Sequence, residues 1–171
     1  MAISTNIHLK IGDGPDIEGE SMVKGHEKEI DVLSYGWGVA QPSAGVSGSG
    51  MSASTAQFQN LFITKYIDKS SPTLMMKCAT GTTIGKAVMT VREAAGEEGT
   101  YIDYLVVTME PAYVTGYNTS ASGAGGEKGT ETITLAFRKI KIEYTPQETM
   151  AGTPEGSIPF SWDVAKQEPA A

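Results

Sequence analysis

Between Tyr101 and Met109 the chain is apolar on both faces of what its alternation marks as a β-strand. Tyr101, Leu105, Val107 and Met109 share one face, and Ile102, Tyr104 and Val106 share the other, as a side-chain period of two requires. Such a strand needs a second covering layer, either inside the domain or from another subunit. The neighbouring segments also alternate. Ile7, Leu9 and Ile11 flank His8 and Lys10, the pattern of a half-buried strand. Residues 27–39 alternate at Ile30 and Val32, after which Leu33, Tyr35 and Trp37 occupy the opposite face. Strands are also expected over residues 58–63, 84–92, 101–117 and 131–144, with a last short one near 158–164 carrying Trp162. In the 131–144 strand the apolar phase slips from Ile133, Leu135 and Phe137 to Ile140, Ile142 and Tyr144. That slip predicts a β-bulge or a bend between packed sheets.

One helix interrupts this pattern. Ser71 suits a cap, Pro72 the first helical position and Gly81 the far end, which predicts a helix over about residues 72–80. Two Gly-rich loops, at residues 40–56 and 118–129, complete the outline. The expected fold is mainly β: two packed antiparallel sheets forming a β-barrel or sandwich with one short helix. A chain of 171 residues is the size of one domain, 1–171, able to bury about two-thirds of its unfolded surface. Its tail, about residues 167–171, is expected to be mobile.

The formal charge of −7 argues against a nucleic-acid groove, which needs clustered Lys and Arg. No apolar run reaches the roughly 18 residues of a membrane-spanning helix. The N-terminus lacks the basic-then-apolar pattern of a secretion signal, so the chain is expected to be made and folded in the cytoplasm. Cys78 is the only cysteine, which excludes an intrachain disulfide and reads as a packed small hydrophobe.

Catalytic chemistry is not visible. His8 lies in a strand pattern opposite the apolar face, where an exposed or satisfied side chain is expected. His26 sits in a turn with no nucleophile-elbow pattern near it. Asp13, Asp16, Glu18 and Glu20 lack the spacing of a calcium loop. The Gly-rich pieces lack the residues of a phosphate loop. No catalytic residue, metal ligand or cofactor site is assigned, and none is expected.

An ordered set of short pieces carries a resemblance. They are Leu9-Lys10-Ile11, Gly19-Glu20-Ser21, His26, the run from Glu29 to Gly38, the run from Thr64 to Pro72, residues 87–92 and 132–137, Tyr144-Thr145-Pro146-Gln147, and Trp162-Asp163. In this order they resemble the haemolysin-coregulated protein (Hcp) family, the tube subunits of type VI secretion. Glu93, where a basic residue is expected, and a tail that is not basic depart from the pattern.

The resemblance implies a non-enzymatic subunit that closes into six-membered rings. The rings stack into a tube inside a contractile sheath on its baseplate and leave the cell behind a spike of the VgrG type, with small effector proteins in the lumen. It implies no nucleic-acid partner and no membrane insertion. Tyr101, Ile102, Tyr104 and Val106 are the candidate subunit interface, with a strand buried inside one subunit as the alternative. Gly45, Gly48 and Gly50, in the first Gly/Ser-rich loop, are candidates for ring stacking. Gly36, small between Tyr35 and Trp37, is the candidate lumen-facing position, or else a glycine required for packing. Lys65, Asp68 and Lys69 are read either as ring contacts or as local order at the helix entry. A monomeric carbohydrate- or peptide-binding β-domain, from another class, and a phage tail-tube-like protein, a relative in function, remain alternatives.

Overall fold

The computed structural model describes residues 6–12, 17–42, 54–94, 99–146 and 156–170. In chain order the elements are β1 (Ile7–Ile11), β2 (Ile30–Asp31), β3 (Ser34–Gly36), β4 (Val39–Ala40), β5 (Gln57–Phe58), β6 (Leu61–Tyr66), α1 (Ser71–Thr80), β7 (Thr83–Ala94), β8 (Tyr101–Ser120), β9 (Thr130–Tyr144) and β10 (Ile158–Asp163). The fold is mainly β with one helix, as expected from the sequence.

All pairing is antiparallel. One large sheet runs β2-β1-β7-β8-β9-β6-β3, with β10 attached to β9, and β4 pairs with β5 in a small second sheet. The large sheet is strongly curled, forming a half-barrel. Its two ends meet in one short segment, residues 30–36. Ile30 and Asp31 pair with β1, and Ser34 to Gly36 pair with β6. Between them Val32 donates its N–H to Ile7 and Leu33 donates to Thr64, at 3.0 and 2.7 Å. The blurred alternation in this stretch has its cause here: one segment serves both edges of the sheet.

The core is filled by the alternating inward residues, among them Leu9, Ile11, Ile30, Leu61, Ile63, Met89, Val107, Met109, Ile133, Leu135 and Ile140. The slip in β9 corresponds to a bend shared by two strands. β8 and β9 keep one register from Leu105↔Tyr144 to Val114↔Leu135, so no bulge separates them there. Instead both change their buried face together, from Val107 and Met109 to Ala112 and Val114 on β8, and from Ile140 to Leu135 and Ile133 on β9. β9 also changes partner across this point, from β10 at residues 139–144 to β6 at residues 130–135. A bulge does occur in β8, with a register shift between Val114 and Gly116.

α1 starts one residue before the expected helix and ends at Gly81, whose φ of 66° is the left-handed conformation that suits glycine. Only Ser71 and Leu74 of the helix are buried. The end of the chain folds back on β10, where the Ala170 N–H bonds to Ser161 and the Asp163 N–H to Glu168.

Candidate functional site

Three polar or apolar features stand out on this scaffold. The first is the helix entry. Alternation along β6 turns Leu61, Ile63 and Lys65 inward, opposite Leu135, Ile133 and Glu131 of β9. Lys65 and Glu131 are therefore a cross-strand pair in the interior, both fully buried, with Nζ 2.6 Å from Oε1. Lys65 also donates to Asp68 Oδ1 at 2.8 Å, to the Tyr66 carbonyl at 2.9 Å and to Ser71 Oγ at 3.3 Å.

The remaining bonds close the network. The Ser71 hydroxyl donates to Glu131 at 2.8 Å and accepts the Asp68 N–H at 3.0 Å. The Tyr117 hydroxyl donates to the other Glu131 oxygen, and Asp68 accepts the Ser70 N–H at 2.9 Å. Ser71 is thus not the helix cap expected from sequence; Ser70 occupies that position and makes no side-chain cap. Lys65 orders the helix entry from the interior, whereas Lys69 forms a surface pair, 2.9 Å from Glu18. Burial first, then the bond to Glu131, pushes the Tyr117 hydroxyl up to about 12.

The second feature is the turn that precedes β2. Gly19 and Ser21 donate their N–H groups to Lys28 and Glu29, and Lys28 returns one to Ser21. A Cβ on Gly19 would lie 2.2 Å from the Glu29 carbonyl oxygen, so only glycine permits this approach. One side of the turn holds the helix entry: Glu20 accepts the Lys69 N–H at 3.0 Å. The other side lays His26 on His8, with ring centroids 4.5 Å apart. His8 is consequently fully buried, although it sits on the face of β1 turned away from Leu9. Asp31 satisfies its Nδ1 at 3.1 Å, while Nε2 has no hydrogen-bond partner.

The third feature is apolar surface. β8 carries a register shift opposite Val91 and Arg92, pairing Leu105 with Val91 but Asp103 with Arg92. Tyr104 is the extra residue and packs against the core; the shift pairs Ile102 with Glu93 and Val106 with Thr90, so these two half-buried residues lie on opposite faces. Tyr101 is exposed beneath the Arg92 guanidinium, 4.5 Å from its ring centroid. Beside this strand Leu105 pairs with Tyr144, and Tyr144 with Ile158. Ile142, Tyr144, Ile158 and Phe160 lie on one face. Ile142 packs on the core, yet Tyr144, Ile158 and Phe160 are 45%, 61% and 41% exposed. The core face therefore continues past the end of the barrel without cover. Sequence reasoning did not single out this row, although Tyr144 stood in the right phase.

Gly36 lies in β3 opposite Phe62, and a Cβ there would come 2.4 Å from the Phe62 ring. Gly45, Gly48 and Gly50 fall outside the described residues, whereas the β4–β5 pair at the base of their loop does not. Among the described residues no group of three or more His, Cys, Asp or Glu is placed to hold a metal ion. None of their helices is long and apolar enough to cross a membrane.

Residues 8–144 match the family model described as type VI secretion system effector, Hcp. The chain is 36% identical over 162 residues to the protein hcp1 of Pseudomonas aeruginosa, covering 95% of this chain and 96% of that protein. It is similar to the crystal structure of Hcp1 from Salmonella typhimurium, with 34% identity, a TM-score of 0.76, and coverage of 96% of this chain and 97% of that one. The fold also matches a type six secretion system protein with a TM-score of 0.86 at 24% identity, over 98% of this chain and 100% of that chain.

Proposed function

The chain belongs to the Hcp family of type VI secretion tube proteins, and from that premise we propose that it is the repeating subunit of a tube built from six-membered rings. The observation that carries the assembly reading is the uncovered apolar row of Tyr144, Ile158 and Phe160 beside β8. Contiguous apolar surface of this kind marks interaction sites, and a head-to-tail contact between unlike surfaces closes a ring when the rotation fits. In this reading Tyr101, Ile102 and Val106 border the contact, and Tyr104 supports it from the core side. The loop with Gly45, Gly48 and Gly50 reaches the next ring. Gly36, with Phe62 over it, faces the lumen.

The stacked rings travel inside a contractile sheath mounted on a baseplate, behind a VgrG-type spike, and carry small effector proteins. The subunit is made in the cytoplasm and leaves the cell on firing. Subunits carrying −7 each repel one another, so stacking depends on complementary local patches and on salt. The protein's work is mechanical: the buried ion network ties the helix to the barrel and has no reacting partner.

Electron microscopy of the purified full chain in negative stain tests this directly. Hollow six-fold rings are expected, and Ile158→Asp and Val106→Asp should each give folded monomers in size-exclusion chromatography. Compact single particles from the unaltered protein would overturn the reading, in favour of a monomeric ligand-binding domain.

A further inference from the structure

The buried histidine pair plays no part in assembly as described above, and its chemistry is unlike that of the rest of the barrel. His8 shares the outer face of the sheet with Thr90, its partner in β7. Further along that face Lys10 is exposed. What buries His8 is the turn laid over it, through the near-parallel stack on His26 (interplanar angle 11°).

Charged and titratable groups surround the pair from every side. Asp31 of β2 lies 3.1 Å from His8 Nδ1. Glu29, in the turn itself, lies 2.8 Å from His26 Nδ1, and Asp103 of β8 is 3.6 Å from His26 Nε2. Arg92 of β7 brings its Nε within 3.8 Å of Asp103 but forms no hydrogen bond through that nitrogen.

These surroundings treat the two rings differently. His26 has a carboxylate facing each nitrogen, Glu29 at Nδ1 and Asp103 at Nε2. A proton on His8 creates a cationic ring with an N–H at Nε2 that no protein acceptor meets, out of reach of bulk solvent. Burying a charge without full pairing is strongly unfavourable, and a second cation stacked 4.5 Å away adds repulsion. Burial first and His26 second hold His8 below the ordinary histidine value of 6.5, against the opposing pull of Asp31 and Glu29. The sign follows from linkage. A histidine depressed in the folded state contributes fully above about pH 6.5, and that contribution is lost as pH falls below it.

We propose that the His8–His26 stack is an acid-released clasp: acidification drives the rings apart, and the turn of residues 18–29 lifts from the outer face of the sheet while the barrel stays folded. The barrel survives because Leu9, Met89 and Val107 pack on the opposite face. Release loosens the turn's own N–H bonds while its pairing through β2 persists, so it is a local opening. This proposal does not depend on how copies of the chain assemble.

Amide hydrogen exchange of the full chain, read by mass spectrometry at about pH 7.5 and pH 5 and corrected for intrinsic rates, tests it. Peptides covering residues 18–29 should lose protection by about tenfold or more in acid, with β8 and β9 changing by less than about twofold. His8→Phe keeps a stacking ring in place of the buried titrating group, and its turn should show no acid response. An acid response in His8→Phe equal to that of the unaltered chain would overturn the proposal, as would equal protection at both pH values. Should that variant fail to fold, imidazole proton titration by NMR of the unaltered chain decides: a His8 midpoint at or above about 6.5 overturns the clasp.

Discussion

Two buried polar clusters lie at different places in the barrel, and they differ in how completely their hydrogen bonds are met. Around Lys65 and Glu131 every charged atom has a partner: Nζ faces Glu131, Asp68, Tyr66 and Ser71, and the Glu131 oxygens face Lys65, Ser71 and Tyr117. Around His8 and His26 one ring nitrogen and one arginine nitrogen are left without a bond. A closed network rigidifies its surroundings, while an incomplete one remains sensitive to the addition of a proton.

The largest expected break falls on the closed network. Lys65→Met leaves the Glu131 carboxylate buried without its counter-ion, and should cost about 3–5 kcal/mol in denaturant unfolding. The double replacement Lys65→Met with Glu131→Leu should recover most of that loss. Recovery would show that pairing, and not the charges themselves, stabilises this end.

Gly19→Ala comes next. It forces a Cβ against the Glu29 backbone and should cost about 2 kcal/mol, with lost exchange protection confined to the turn of residues 18–29. If protection fell at the helix entry by the same factor, the two clusters would be one unit, through the Glu20 and Lys69 contact.

pH separates the clusters by sign. The His8 contribution is lost as pH falls below about 6.5. Tyr117 is raised to about 12, so its contribution is complete below about pH 10 and lost as pH rises toward 12. Tyr117→Phe should flatten the alkaline limb of a stability–pH profile and leave the acid limb unchanged; a change in the acid limb would merge the clusters. The smallest effect belongs to the surface. Lys69→Ala removes a half-exposed pair with Glu18 and should cost less than about 1 kcal/mol, vanishing at high salt.

How far these features can be read from the chain depends on the range of the interactions behind them. The strands, the helix and its Gly81 end follow from local period and capping, and the ordered motifs marked the family. The inward position of Lys65 was also open to a period-two reading, since it follows Leu61 and Ile63 as Glu131 precedes Ile133 and Leu135. The fate of His8 was not open to such a reading. Its face could be assigned, but its burial depends on a turn folding back over it from a dozen or more residues away. The Tyr104 bulge depends on register between β7 and β8, which alternation within one strand does not reveal. The shared bend of β8 and β9 lies between these cases: its phase slip was visible in β9, and its counterpart in β8 was hidden by a strand apolar on both sides.

The segment of residues 30–36 bears on the order in which the chain folds. It pairs with the first strand through its leading half and with β6 through its trailing half, yet β1 reaches the rest of the sheet only through β7. The sheet is therefore closed only when both sets of bonds hold at once with β7, β8 and β9 joined between them around the core. Until that last step both edges of the sheet stand open, the state in which strands pair with the wrong chain. Slow closure, concentration-dependent losses on refolding and rescue by dilution should all trace to these seven residues.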